Sequence, residues 1–98
     1  MNAATLIRLT DGDDVLIAAR DLEAGVHRSS AGDLVAVREP VRLGHKVAAR
    51  DIARGEHVVR AGMSIGSATA AIGAGDWVHT HNLTSDYIAT FAHRGGAE

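Results

Sequence analysis

The 98-residue sequence contains no cysteine and only three aromatic residues, Trp77, Tyr87 and Phe91. The absence of cysteine excludes disulfides, thiolate metal sites, iron–sulfur ligation and cysteine nucleophiles within this chain. The longest apolar runs, such as residues 15–19, have five members, whereas a membrane span needs about twenty. Residues 1–8 lack the charged start and apolar stretch of a signal peptide. These absences predict a soluble cytoplasmic protein.

Charge is also too balanced for several classes of partner. Ten basic residues and twelve acidic residues give a net charge of −2, which argues against nucleic-acid binding driven by phosphate contacts. A polybasic attachment to a membrane surface is disfavoured for the same reason. The chain is 46% hydrophobic, which predicts one small globular domain with a core of Val, Ile, Leu and Ala.

Short apolar runs rich in β-branched residues are present instead, and Gly and Asp bound them. Such runs predict short strands rather than long helices. The eleven glycines predict many turns with positive φ. The predicted strands cover residues 5–9, 15–19, 34–37, 46–49 and 56–60. The expected fold class is therefore mainly β.

A short repeat lies on top of this pattern. Residues 19–25 recur as residues 49–55, and residues 70–75 form a degraded third copy without the Asp. Each full copy has Asp, an aliphatic residue, two variable residues and Gly. We expect Asp21 and Asp51 to cap a single helical turn, the aliphatic residue to fill the core, and Gly to end the turn.

The C-terminal segment has a different pattern. Tyr87, Ile88 and Phe91 recur at helical spacing, and residues 84–86 are typical of a helix cap. We therefore predict a domain over residues 1–83 and a short C-terminal helix or tail over residues 84–98.

Histidines supply the most reactive side chains. If residues 79–81 are extended, His79 and His81 project on the same face, which would form half of a metal site or a proton-transfer pair. His45 is a possible third ligand, but spacing cannot show that it lies near the other two. His27, His57 and His93 are interpreted as surface histidines.

Four further features need an interpretation. Lys46 would face away from His45 on a regular strand unless a bulge intervenes, and it is interpreted as a solvated edge-strand lysine. Asn82 either orients a ligand or closes a turn, and Trp77 is expected to brace the histidine segment. The acidic residues Asp11, Asp13 and Asp14 lack the spacing of an EF-hand and predict a solvated turn.

Four blocks of the sequence together resemble a known family. They are Gly44-His45-Lys46-Val47-Ala48, residues 51–56, residues 61–68, and Gly75-Asp76-Trp77-Val78-His79-Thr80-His81-Asn82. In this order and with these gaps, they resemble the small domain of the altronate dehydratase family, which is related to the small subunit of sulfolactate sulfo-lyase. The resemblance covers residues 12–83. It implies an SAF-type β-clip fold of short strands joined by single-turn helices.

The resemblance also implies an activity. Members of this family are lyases that remove water or sulfite from hydroxylated acids such as altronate, galactarate or sulfolactate. They use a divalent metal, iron(II) or manganese, and most of the catalytic machinery lies in a separate large domain or subunit. The chain is therefore expected to be the small subunit of a lyase, inactive alone, with a large catalytic subunit as its partner. A homo-oligomer is a further possibility.

Residue roles follow from the matching blocks. The resemblance implies that His79 and His81 are catalytic acid–base residues or metal ligands, and that His45, Lys46 and Asn82 contact the anionic substrate. Two alternatives stay open at this point. The chain could be a stand-alone SAF module that binds a carbohydrate acid or assists assembly without catalysis, or a docking element whose histidines lie in an interface.

Overall fold

A computed structural model describes residues 4–85, and every regular element in that range is a β-strand. The nine strands are β1 (Leu6–Ile7), β2 (Val15–Ala18), β3 (Gly25–Arg28), β4 (Leu34–Val37), β5 (Lys46–Ala48), β6 (His57–Arg60), β7 (Met63–Ala68), β8 (Trp77–Val78) and β9 (Leu83–Ser85). They form three sheets, with the orders β1-β2-β5-β8, β3-β4 and β6-β7-β9. All strand pairs are antiparallel. This architecture confirms the mainly β prediction and is consistent with a β-clip fold.

The four-stranded sheet separates two hydrophobic cores. Successive side chains of a strand point to opposite faces, and β2 shows this, because Leu16 contributes to one core and Val15 to the other. Val47 and Ala48 of β5 divide in the same way. The first core consists of Leu6, Leu16, Ala18, Leu22, Val35, Val37, Val41 and Val47. The second consists of Val15, Ala48, Ile52, Val58, Ala68, Ile72 and Val78.

The repeated turns contain no helix, so the predicted single-turn helices are wrong for the described residues. The aliphatic residue of each copy instead forms an isolated antiparallel bridge, Leu22 with Val41 and Ile52 with Ile72. These four residues are all buried, as predicted for Leu22, Ile52 and Ile72. Each begins an aliphatic-x-x-Gly segment, so the motif occurs four times; the copy at Val41 has no preceding Asp, and sequence reasoning missed it.

The aspartates of the repeat also bind differently from the prediction. Asp21 accepts a hydrogen bond from the Leu43 backbone N–H at 2.8 Å, and Asp51 accepts one from the Ala74 N–H at 2.9 Å. Each carboxylate therefore satisfies a donor in the facing turn rather than in its own. The glycines behave as predicted, because Gly55 and Gly75 have φ values of +86° and +89°, which an L-residue rarely adopts.

The acidic segment beside Gly12 is not a solvated turn, contrary to the prediction. Asp11 is exposed, but Asp13 and Asp14 are buried. Asp13 accepts hydrogen bonds from the backbone N–H groups of Ala61 and Gly62. Asp14 accepts bonds from the Val59 N–H and the Arg50 guanidinium, both at 2.8 Å. These two carboxylates hold the N-terminal loop on the β6–β7 hairpin.

The boundary predicted at residue 83 stays a prediction. Thr84 and Ser85 lie in β9, which pairs with β7, and the predicted helix that follows lies outside the described residues. No helix in residues 4–85 is long and apolar enough to cross a membrane.

Candidate functional site

The chain reverses direction immediately after β8. The His79 N–H donates to Asn82 Oδ1 at 3.0 Å, and the Asn82 N–H donates to the His79 carbonyl at 3.1 Å. The Asn82 side-chain amide also donates to the Trp77 carbonyl at 2.9 Å. Residues 79–82 therefore form a turn, so the extended geometry considered for residues 79–81 is wrong. Buried Asn82 closes this turn, which was one of its two predicted roles.

Trp77 nevertheless brings all three site histidines together. Its ring centroid lies 5.0 Å from those of His79 and His81 and 5.8 Å from that of His45. The rings of Trp77 and His79 are nearly parallel, with an interplanar angle of 10°, and His45 stacks on His79 at 5.3 Å. We call these four residues the imidazole cluster. Trp77 therefore braces the histidine segment as predicted, and its ring contacts all three imidazole rings.

Pairing of β5 with β8 explains why His45 reaches this cluster. Lys46 is opposite Val78 and Val47 is opposite Trp77, so His45, one residue before β5, lies beside the end of β8. The Trp77 indole Nε1–H donates to His45 Nδ1 at 3.2 Å. This hydrogen bond joins two segments that are far apart in the chain.

Lys46 lies next to the cluster, on the face of β5 opposite to Val47. With His79 it lines a groove of about 350 Å³ whose other walls are Thr80, Leu83, Thr84 and Ser85. Burial lowers the pKa of Lys46, and the positive charge of Arg60 lowers it further. Among the described residues no carboxylate forms an ion pair with this ammonium group. The groove therefore combines a cation, an imidazole and hydroxyl groups.

A metal site is not complete within this part of the chain. No group of three His, Asp or Glu side chains in residues 4–85 is arranged to hold a metal ion. His45 and His79 face each other as stacked rings, and the lone pairs of ring nitrogens lie in the ring planes, so this pair does not converge on one ion. His79 and His81 as metal ligands stay a prediction that requires further ligands from elsewhere.

The remaining histidines and groove residues complete the comparison with the sequence. His27 bonds to Thr5 and to the Glu23 carbonyl, and exposed His57 lies near Ser64 and Ser67; neither belongs to the cluster. His93 lies outside the described residues. Sequence reasoning did not connect Thr80, Leu83 and Thr84 with the site, because it left open whether Asn82 closes a turn and so could not place these residues at a groove. Asn82, three residues after His79, was the available turn signal.

The sequence matches a family model and several named proteins. Residues 4–86 match the family model described as the altronate/galactarate dehydratase SAF domain. Altronate dehydratase of Escherichia coli (strain K12) is 44% identical over 74 residues, which are 76% of this chain and 15% of the relative. Altronate dehydratase of Bacillus subtilis (strain 168) is 32% identical over 82 residues, 84% of this chain and 16% of the relative.

A third relative has a different name. The (2R)-sulfolactate sulfo-lyase subunit alpha of Chromohalobacter salexigens is 38% identical over 47 residues, which are 48% of this chain and 50% of the relative. The chain thus spans only about 15% of the length of the altronate dehydratases it matches and half of the sulfo-lyase subunit. From the family match over residues 4–86, the chain belongs to the altronate/galactarate dehydratase SAF-domain family.

Proposed function

We propose that this SAF domain is the small subunit of a lyase acting on a sugar acid or hydroxy acid, with an altronate dehydratase-like reaction. It works in the cytoplasm with a large catalytic subunit and is inactive alone. The observation that carries this proposal is the groove beside the imidazole cluster, where Lys46 lies with His79 and has no acidic partner among the described residues.

Lys46 provides recognition of the substrate's charge. A partly buried ammonium group without a counter-ion loses hydration that an anionic ligand can replace. A carboxylate in the groove would form a charge-assisted hydrogen bond with Lys46. The hydroxyl groups of Thr80 and Thr84 supply donors and acceptors suited to a hydroxylated carbon chain. These contacts suit a small hydroxy acid.

The histidines provide the groups for proton transfer. Elimination removes a proton from the carbon next to the carboxylate, and the bond to the β-substituent breaks as water or sulfite departs. His79 and His81 are both exposed. Within residues 4–85, no ring nitrogen of either residue has a hydrogen-bond partner. Their imidazoles are therefore free to accept or donate a proton, and His79 itself lines the groove.

A divalent metal, iron(II) or manganese, belongs to the complete enzyme in this proposal. Such an ion would polarise the leaving hydroxyl group. The described residues supply at most part of its ligand set, so the large subunit would provide the remaining ligands. His79 and His81 are the residues of this chain that we propose as ligands of the ion.

The sulfo-lyase relative supports a subunit role. It is named as a subunit, and half of its length aligns with 48% of this chain. A subunit that contains a related segment is the arrangement proposed here.

Purification of the chain from its source cells under gentle, anaerobic conditions tests the proposal. A much larger protein should co-purify at fixed stoichiometry, and the complex should turn over altronate, galactarate or sulfolactate. His79→Ala and His81→Ala should each abolish most turnover while the complex stays intact, whereas His57→Ala, outside the cluster, should not. Recovery of the chain alone would contradict the two-subunit proposal.

A stand-alone binding module is the second candidate, and one observation favours it. Within residues 4–85, the groove itself supplies an ammonium group from Lys46, an imidazole from His79 and threonine hydroxyl groups, which are groups that bind an acid. Calorimetry of the isolated chain with the same three acids separates the two functions. Tight binding without any co-purifying subunit supports the module. If His79→Ala and His81→Ala disrupt the complex itself, the histidines act instead in a docking interface.

A further inference from the structure

We infer that Trp77 is a positioning residue that fixes the Nε2–H tautomer of His45 and so makes His45 a hydrogen-bond donor at the site, rather than a base or a metal ligand. The observation is the hydrogen bond from the Trp77 indole to His45 Nδ1, 3.2 Å long. The functional half of the inference rests on the proposed lyase role. The tautomeric half rests on the contact alone.

The chemistry of the two rings decides the direction of this bond. Indole Nε1–H can only donate, so the nitrogen that it meets must offer a lone pair. A neutral imidazole has one protonated and one unprotonated nitrogen. Because Nδ1 accepts from Trp77, the neutral His45 ring carries its proton on Nε2. The partner on one nitrogen thus sets what the other nitrogen can do, as in the outer contacts of metal-bound histidines.

The outward nitrogen is then a donor in search of an acceptor. His45 is half-buried, and within residues 4–85 no acceptor lies within hydrogen-bond distance of its Nε2. Because this N–H has no acceptor within the described residues, an oxygen of a ligand or of another chain can accept its hydrogen bond in place of water. A protonated Nε2 cannot ligate a metal or remove a substrate proton. It can donate to a carboxylate or hydroxyl oxygen of a ligand bound beside the imidazole cluster.

Packing holds this tautomer in place. Trp77 is half-buried against the first core, and the stacked His79 ring covers both His45 and Trp77. The indole cannot rotate away without disturbing these contacts. We therefore place His45 with substrate recognition and leave proton transfer to His79 and His81, whose ring nitrogens have no such constraint.

Nitrogen-detected NMR of the full chain tests the tautomer directly. At mildly alkaline pH, the His45 ring should show a protonated Nε2 and an unprotonated Nδ1. Trp77→Phe keeps an aromatic ring but removes the donor, and should convert His45 to a mixture of tautomers. His57, whose neighbours are serine hydroxyls that either donate or accept, serves as the internal control and should not change. A proton on His45 Nδ1 in the unmodified chain would overturn the inference.

Kinetics of the co-purified complex test the role. Glutamine can accept from Trp77 with its carbonyl and donate outward with its amide, so His45→Gln should keep KM within about threefold of the unmodified complex. His45→Ala should raise KM about tenfold, the effect of one hydrogen bond to a charged group. Trp77→Phe should raise KM by a smaller factor, about twofold, because part of the tautomer mixture can still donate. Neither variant should change kcat much. If His45→Gln and His45→Ala both lower kcat by about tenfold or more, His45 acts as a base or ligand and the inference fails. A complex without lyase turnover contradicts the proposed function, and the NMR result still decides the tautomer.

Discussion

Lys46 is the single lysine of the chain, which makes its ionisation directly measurable at the scale of one residue. Burial and the charge of Arg60 both lower its pKa. An ammonium group loses its charge as pH rises through its pKa, so anion binding at the groove should weaken at a lower pH than an ordinary lysine would give. The residue pattern indicated only a lysine on a predicted strand, and the family resemblance implied that this lysine contacts the substrate.

Titration of a ¹³C-methyl label on Lys46 measures this prediction. The pKa of Lys46 should be lower in the folded chain than in urea, and Arg60→Gln should raise it part of the way back. Arg54→Gln, at another exposed position, is the matched control and should leave it unchanged. Equal pKa values in the folded and unfolded chains would contradict the burial argument.

Asp13 provides the second residue-scale prediction. Burial alone would raise its pKa, but hydrogen bonds from the Thr10 hydroxyl and from the backbone N–H groups of Ala61, Thr10 and Gly62 outweigh this, lowering the pKa from 3.8 to about 2. Because the folded pKa is lower than the unfolded one, the contribution of Asp13 to stability is fully present above pH 3.8 and is lost as pH falls toward 2.

Denaturant unfolding across this pH range measures the contribution. Asp13→Asn should lower the free energy of unfolding by about 2 kcal/mol at neutral pH, and the difference should shrink on acidification. Asp11→Asn, two residues earlier and exposed, should change stability by less than about 0.5 kcal/mol. Equal effects of the two substitutions would show that the buried carboxylate does not hold the loop.

Turns join the strands of this fold. Two turn glycines allow the cost of a left-handed backbone conformation to be measured separately from the cost of steric overlap. Gly55 and Gly75 have nearly the same positive φ, +86° and +89°. A methyl group on Gly55 would meet no atom within 4 Å, whereas one on Gly75 would overlap the Ala36 carbonyl. The turn that ends at Gly75 therefore packs directly against β4, and the turn that ends at Gly55 does not.

Thermal or denaturant unfolding of two alanine variants tests this difference. Gly55→Ala should cost about 1 kcal/mol, the strain of a left-handed L-residue. Gly75→Ala should cost about 3 kcal/mol or more, because β4 must also move. If both variants lose the same stability, the close approach of Gly75 to Ala36 does not contribute to the free energy of unfolding.

The element scale also shows which parts of the fold the sequence could predict. The strand at Leu34–Val37 was predicted at its observed bounds, and the strands at Val15–Ala18 and Lys46–Ala48 within one residue, because continuous β-branched runs favour extended backbone. The strand β8 has only two residues and gives no such run. The repeated turns suggested helices because Asp before an aliphatic residue is typical of a cap, but the Asp binds a turn distant in sequence.

At the scale of the whole molecule, metal binding should depend on assembly. Within residues 4–85 no three ligands are arranged to hold an ion, so the isolated chain should bind iron(II) or manganese only weakly. The co-purified complex should retain a stoichiometric metal, and His79→Ala or His81→Ala should reduce that content if either residue is a ligand. Metal analysis after gel filtration measures both. Tight stoichiometric binding by the isolated chain would contradict the need for ligands from a larger subunit.

The sequence by itself determined the fold class, the positions of the turn glycines and the family, because each depends on residue types in local runs or on the order of four blocks. It also indicated His45, Lys46, His79, His81 and Asn82 as candidates. Only the tertiary structure decided how these residues meet. His45 and Trp77 are 32 residues apart, and their contact depends on the pairing of β5 with β8 and on a turn closed by Asn82. Such contacts come from strand register and side-chain packing between distant segments, which local sequence patterns do not specify.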